Sequence, residues 1–248
     1  MGRLDGKVSI ITGASRGMGA SHAREFVMHG SKVVLTDCNE AAGRALADEL
    51  GDNAIFVAQD VANAADWTRV VAETEKAFGF VSVLVNNAGI LGTVSNTVDF
   101  SEEDYLKVIS VNQNALFLGM KSVIPSMLRA GGGSIINISS NAGITCIYGT
   151  PNIAYAASKW AVRGMSKMVA VEYGPEGIRC NSVHPGYTMT PMMIEATDEV
   201  GGDALLMIPL RRISEPVEVS HLVVFLASDE SSFVTGAEYV IDGGMTSH

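Results

Sequence analysis

Tyr155 and Lys159 stand four residues apart in the run Tyr155-Ala156-Ala157-Ser158-Lys159. On a helix that spacing places one side chain above the other. An ammonium beside a phenol favours the phenolate, so the tyrosine pKa is expected to fall below its reference value of about 10. A phenol tuned that way gives or takes a proton near neutral pH. Ser140 follows an apolar, strand-like run at 135–138, and its hydroxyl could donate a hydrogen bond to the same oxygen. This is equipment for interconverting an alcohol and a carbonyl, provided that a hydride carrier is bound beside it. Tyrosine–lysine pairs also decorate solvated helix faces, so the chemistry depends on what the rest of the chain builds around this one.

The segments that must position these groups alternate between strand-like and helix-like patterns. A short β-branched run at 8–12 reads as a buried strand. It leads into Thr12-Gly13-Ala14-Ser15-Arg16-Gly17-Met18-Gly19, and then a helical stretch from about 20 to 29 that Gly30 ends. Strand, glycine turn and helix make a phosphate cradle, with backbone N–H groups at the helix start and no side chains to block approach. Gly13, Ser15, Arg16, Gly17, Met18 and Gly19 are the candidate contacts there. Glycines at such a turn can also serve close packing alone.

A second strand is expected over 32–36, with Asp37 at its end. A carboxylate at this place accepts hydrogen bonds from both adenosine ribose hydroxyls and repels a 2′-phosphate, which favours NAD over NADP. It could equally form a turn or cap a helix. Arg16 pulls the other way, since a base in the glycine loop could pair with a 2′-phosphate. A third strand at 54–58 precedes Gln59-Asp60-Val61, where Asp60 could bond the adenine amino group, cap a helix starting near 64, or do both, with Val61 beside it. A fourth strand at 81–85 runs into Asn86-Asn87-Ala88-Gly89, small residues that let backbone pass close to a cofactor or simply turn.

A long helical region is expected over 102–129, interrupted in character by Asn112, a poor helix-interior residue. It could disturb the helix locally and hold a water beside the lysine, or be a satisfied polar group without a catalytic part. The fifth strand, 133–138, delivers Ser139 and Ser140, and the helix carrying Tyr155 and Lys159 continues to about 173, where Gly174-Pro175 stops it. A sixth strand at 178–183 leads into His184-Pro185-Gly186-Tyr187-Thr188-Met189-Thr190-Pro191. Pro185, Gly186, Thr188 and Thr190 are candidate cofactor contacts, with Thr190 preferred over Thr188 for the nicotinamide amide and phosphate. His184 has no acid partner in sequence and reads as structural. Met189, Met192, Met193 and Met207 mark the segment 189–208, within a lid over about 187–212 above a hydrophobic substrate, or an amphipathic helix packed on the core or a second subunit. A last helix at 216–227 and a last strand at 238–241 complete the chain.

Alternating strands and helices imply an α/β fold, a Rossmann-type doubly wound parallel sheet, in a single domain over 1–248. The 47% hydrophobic content supports a sizeable core, and the net charge of -10 speaks against nucleic acid or an anionic membrane surface as a partner. Cys38, Cys146 and Cys180 lack disulfide-framework or zinc spacing, and clustered histidines at metal-ligand spacing are missing, so no metal is expected. No apolar run reaches the roughly 18 residues of a membrane helix, and the N-terminal residues lack the apolar core of a signal peptide. The expectation is a reduced, soluble, cytoplasmic protein.

Residues 12–19, 86–89, Asn112, Ser140, Tyr155 with Lys159, and 181–190 follow one another in one order, and together they resemble the short-chain dehydrogenase/reductase family over essentially the whole chain. The stretches ETEKAFGFVSVLVNNAGI, YAASKWAVRGMSK and NSVHPGYTMTPM are similar to the bacterial secondary-alcohol and hydroxysteroid dehydrogenases of that family. The resemblance implies a nicotinamide cofactor, an apolar alcohol or ketone substrate and a homotetramer. It implies Tyr155 as general acid/base, Lys159 on the nicotinamide ribose, Ser140 orienting the substrate oxygen with Ser139 as the alternative, and Asn112 anchoring a water. It also implies that Gly13, Gly17, Gly19, Asp37, Asp60, Asn87 with Ala88 and Gly89, and Thr190 hold NAD. The interval between Ser140 and Tyr155 is slightly longer than in many relatives, and the surplus falls in 145–153, expected to line the pocket. Two rivals remain: an NADPH-dependent 3-oxoacyl-carrier reductase of the same fold, disfavoured by Asp37 and the acidic charge, and a non-catalytic dinucleotide sensor, which would have no need of the Ser/Tyr/Lys set.

Overall fold

A computed structural model describes residues 2–146, 151–196 and 204–247. Seven parallel strands form one sheet, β1 (Val8–Thr12), β2 (Lys32–Asp37), β3 (Ala54–Ala58), β4 (Val83–Asn86), β5 (Gly133–Ile138), β6 (Ile178–Pro185) and β7 (Glu238–Ile241), in the order β3-β2-β1-β4-β5-β6-β7. The order reverses direction between β1 and β4. In such a sheet the crevice for a ligand opens there, beyond the carboxyl ends of the strands.

Helices α1 (Gly17–Met28), α2 (Glu40–Leu50), α3 (Ala64–Phe78), α4 (Glu102–Ile109), α5 (Ala115–Ala130), α6 (Ile153–Tyr173), α7 (Pro191–Ala196), α8 (Ala204–Met207) and α9 (Pro216–Ala227) complete the described fold. Strand alternation sends side chains to two separate cores. Ile11, Val33, Leu35 and Ile136 face α1 and α9, where Phe26, Val219 and Val223 are buried. Ile10, Val34, Leu84 and Ile135 face α3, α5 and α6, where Trp67, Leu116, Met120 and Val162 are buried. Both faces are therefore closed, and the strand ends are left for chemistry.

One local feature follows the sequence-based expectation that Asn112 disturbs its helix, and two depart from what was expected. The helical stretch around Asn112 widens into a π turn over Ser110–Asn114 between α4 and α5, the kind of bulge that often accompanies functional sites. The cap of α3 is Asn63, whose side chain accepts from the Ala65 N–H. Asp60 instead closes a local turn by accepting from the Ala62 N–H, so it is not the cap of that helix. Strand β6 runs on through His184 and Pro185 because β7 pairs with it as far as Pro185 and Ile241.

Candidate active site

The ends of β5 and β6 and the start of α6 bring the reactive groups together. Ser139 and Ser140 leave β5 side by side with different fates. The Ser139 hydroxyl is buried and donates to the backbone carbonyl of Lys159 at 2.9 Å, locking β5 to α6. The Ser140 hydroxyl is hydrogen-bonded with the Tyr155 phenol; it also accepts the Ala142 N–H at 3.1 Å and donates to Asn141 Oδ1 at 3.0 Å. His184 is fully buried, with Nε2 paired to the Ser182 hydroxyl at 2.9 Å and Nδ1 placed 3.1 Å from the Ser140 carbonyl oxygen. Burial lowers its pKa, so it is a neutral strut fixing the backbone of Ser140.

Helix α6 starts where Asn152 accepts the Tyr155 N–H at 2.9 Å, which orients the first turn and with it the phenol. One turn later Lys159 is buried, its Nζ donating to the Ile138 carbonyl at 3.0 Å and lying 5.5 Å from the centre of the Tyr155 ring. Burial pulls the Lys159 pKa down to about 8. Burial also raises the Tyr155 pKa, and the Ser140 hydrogen bond opposes that rise. The lowered phenol expected from the adjacent ammonium is therefore corrected: loss of hydration outweighs the Ser140 contact. Asn112 clamps the loop after β4, accepting the Ile90 N–H and donating to the Ile90 carbonyl, both at 2.8 Å, with Ser158 Oγ at 3.3 Å. A side chain at Gly89 would sit 3.3 Å from Asn112 Oδ1 and 3.5 Å from Lys159 Nζ, so loop, asparagine and lysine converge on one point.

Beside this cluster lies a cavity of about 320 Å³ bordered by Gly13, Arg16, Gly17, Met18, Asp37, Asp60, Val61, Asn87, Ala88, Gly89 and Thr190. Its glycine edge lets a ligand's phosphates approach the backbone closely. Gly13 has φ +62°, and a Cβ there would meet the Ala88 backbone at 2.8 Å. A Cβ on Gly19 would collide with the Gly13 carbonyl. The loop is held by Asn87, whose Nδ2 donates to the Thr12 and Gly13 carbonyls. Asp37 faces the cavity while accepting the Ser15 N–H at 3.1 Å and the Asn39 N–H at 2.9 Å. Asn87 Oδ1 and both polar atoms of the Gln59 amide are buried without a protein partner at its wall, a polar lining that a bound heterocycle or ribose would satisfy.

Of the expected cofactor contacts, Ser15, Gly19 and Lys159 do not border this cavity. Ser15 and Gly19 build the loop from behind, and Lys159 sits beneath Gly89. Pro185, Gly186 and Thr188 border a second, larger cavity of about 490 Å³, as does Tyr155, while Met18, Thr190 and Met192 border both. Thr188 pairs with the Ser214 hydroxyl at 2.9 Å, which leaves Thr190 at the junction. The larger cavity is walled by Leu91, Val94, Ile153, Tyr187, Met192 and Met193 around Ser140 and Tyr155. Thr145, Cys146, Pro151, Asn152 and Ile153 line it as expected for the stretch 145–153, of which 147–150 lie outside the described residues. The lid expected over 187–212 includes α7 and α8, and its part at 197–203 also lies outside them. Gln59, Cys38, Leu91, Val94 and Asn141 were not singled out by sequence reasoning. Gln59 had a signal, a polar residue next to Asp60 at a strand end, but nothing in spacing marks Leu91 or Val94.

The family model described as Enoyl-(Acyl carrier protein) reductase matches residues 13–246. A "3-alpha-(or 20-beta)-hydroxysteroid dehydrogenase" of Mycobacterium bovis is 50% identical, over 98% of this chain and 90% of its own. A "Trans-4-hydroxycyclohexanecarboxylate dehydrogenase" of Sinomonas cyclohexanicum is 46% identical, over 98% and 94%. The crystal structure of a short-chain type dehydrogenase/reductase from Mycobacterium marinum superposes with a TM-score of 0.94 at 32% identity, over 98% of this chain and 96% of that one.

Proposed function

The chain belongs to the short-chain dehydrogenase/reductase family, and from that premise we propose that it moves hydride between NAD(H) and an apolar secondary alcohol or ketone, a hydroxysteroid among the candidates. It is an oxidoreductase acting on CH–OH groups; the choice of NAD and the roles below are our reading. The observation that carries it is the junction of the two cavities at Thr190 and Met18, with Tyr155 and Ser140 on the wall of the larger one.

A nicotinamide dinucleotide, when bound, supplies or accepts the hydride. The residues that would hold it are those of the smaller cavity, with Asp37 on the adenosine ribose, Asp60 and Val61 near the base, and Thr190 at the nicotinamide end. In oxidation Tyr155 takes the hydroxyl proton of the substrate, and in reduction it returns one to the carbonyl oxygen. Ser140 donates to that oxygen and keeps it against the phenol. Lys159 and Asn112 position the loop at Gly89–Ile90, and the Lys159 charge favours the phenolate. Apolar walls exclude water and place the carbinol carbon. The exposed apolar side chains of α5 and α6, Phe117, Met168 and Val171 among them, support the homotetramer that the family resemblance suggests. No helix among the described residues is long and apolar enough to cross a membrane.

The test is appearance of reduced nicotinamide when the purified protein meets secondary alcohols and 3-, 17- and 20-hydroxysteroids with NAD or NADP. The reading expects turnover with NAD favoured. Asp37→Gly should then improve the NADP:NAD ratio of kcat/KM by roughly tenfold or more, since a like charge next to the 2′-phosphate is removed. An unchanged ratio would remove Asp37 as the discriminator.

A further inference from the structure

The alcohols named for the relatives are neutral in one case and carboxylate-bearing in the other, so likeness alone leaves the charge of the substrate open. The described residues bordering the larger cavity include no Lys, Arg, His, Asp or Glu. The sequence that supplies this wall extends the pattern. Residues 87–98 and 140–158 contain no charged residue, and 185–210 contain four acids, Glu195, Asp198, Glu199 and Asp203, with no Lys, Arg or His. The internal segments outside the described residues, 147–150 and 197–203, contain no Lys, Arg or His.

The two helix starts at this wall are partly capped by their own side chains. Helix α6 begins at the cavity, but Asn152 Oδ1 accepts its Tyr155 N–H at 2.9 Å. The start of α7 is closed by Thr190, whose carbonyl accepts the Ile194 N–H at 3.0 Å and whose hydroxyl accepts the Met193 N–H at 3.3 Å. Lys159 lies at the reacting end, bonded to the Ile138 carbonyl, and does not border this cavity. An anionic group carried on the far side of a ring from the carbinol would lose hydration against Leu91 and Met193 with no counter-charge, the arrangement that binding sites for anions avoid.

We propose that the substrate chamber selects neutral alicyclic alcohols and rejects their carboxylate-bearing analogues by the absence of any counter-cation on its wall. The inference rests on the alcohol-dehydrogenase reading above and narrows its substrate class.

The test uses matched pairs differing in one charge: trans-4-hydroxycyclohexanecarboxylate against its carboxamide, and a 3-hydroxysteroid side-chain acid against its amide, each with NAD and the intact enzyme. The expected result is kcat/KM lower for the acid by roughly 30-fold or more in whichever pair is turned over, carried mainly by KM. Val94→Lys places a base at a half-exposed position of the wall. It should narrow the acid–amide gap at least about threefold, a ratio taken within one variant and so independent of any general change in its activity. An acid used as well as its amide overturns the proposal, and so does a gap that Val94→Lys leaves unchanged. If neither member of either pair nor any neutral alcohol is turned over, the alcohol-dehydrogenase reading fails first and takes this inference with it.

Discussion

Lys159 and Tyr155 show two effects in opposition at one site. Adjacency alone predicts an easier phenolate, because the charge of a neighbour is legible in a four-residue spacing. Burial is not legible there, since it depends on β5, β6 and the loop after β4 closing over the pair. Removal from water pushes the Tyr155 pKa up and the Lys159 pKa down to about 8. Alcohol oxidation needs the phenolate, so its kcat/KM should climb with pH through and beyond neutrality, while carbonyl reduction, which needs the phenol, declines. Lys159→Met removes the charge that favours the phenolate, and the rising limb should move to higher pH by roughly 1–2 units; a limb that stays in place would confine the lysine to binding. The sign for stability is also fixed. The folded pKa of about 8 lies below the ordinary 10.5, so the cost of burying Lys159 is full below pH 8 and fades as the pH rises towards 10.5. The two serines, alike in the sequence because both follow the same strand, differ in their contacts: Ser139 bonds the Lys159 carbonyl and Ser140 the phenol, which favours Ser140 for the proposed role.

Most elements were readable because their signals are local. Strands β1, β3, β5 and β7 coincide with their apolar runs, and α9 coincides with the run from Pro216 to Ala227. Boundaries set by partners were less readable: β6 reaches Pro185 only because β7 lies alongside, and the π turn at Asn112 reflects a bond to Ile90 across 22 residues. The glycine loop joins element to function most tightly. Gly19→Ala would drive a methyl group into the Gly13 carbonyl and towards Asn87 Nδ2, so the loop must shift. The variant should show weaker NADH binding by fluorescence titration, roughly tenfold or more, together with a lower Tm, whereas alanine at Gly164, a position with open space, should leave binding unchanged and Tm no lower. Equal behaviour of the two variants would mean that the loop is not held as described.

Across the whole molecule the fold class was legible from alternation alone, but the walls of the substrate cavity were not. Leu91 and Val94, Ile153, and Met193 come from three separate segments, and only the sheet's topology brings them together. The outer faces carry their own expectation. Val171 on α6 is 75% exposed and Met168 one turn earlier 56%, an apolar stripe of the kind that marks association surfaces. The protein should sediment at four times the 26.1 kDa chain mass, and Val171→Glu should give smaller species, since a charge would be buried unpaired in the interface. A wild-type protein that sediments as a 26.1 kDa monomer would contradict the tetramer.

The central claim is that Tyr155 exchanges the proton while a bound nicotinamide exchanges the hydride. It is tested most directly by comparing the wild type and Tyr155→Phe in NAD reduction on the best neutral alcohol, with NADH binding measured in parallel. The account predicts that the variant binds NADH within about threefold of the wild type and loses kcat by roughly 10²–10⁴-fold, the contribution of a general acid/base group. Turnover that survives in Tyr155→Phe would contradict it and remove the tyrosine from the chemistry.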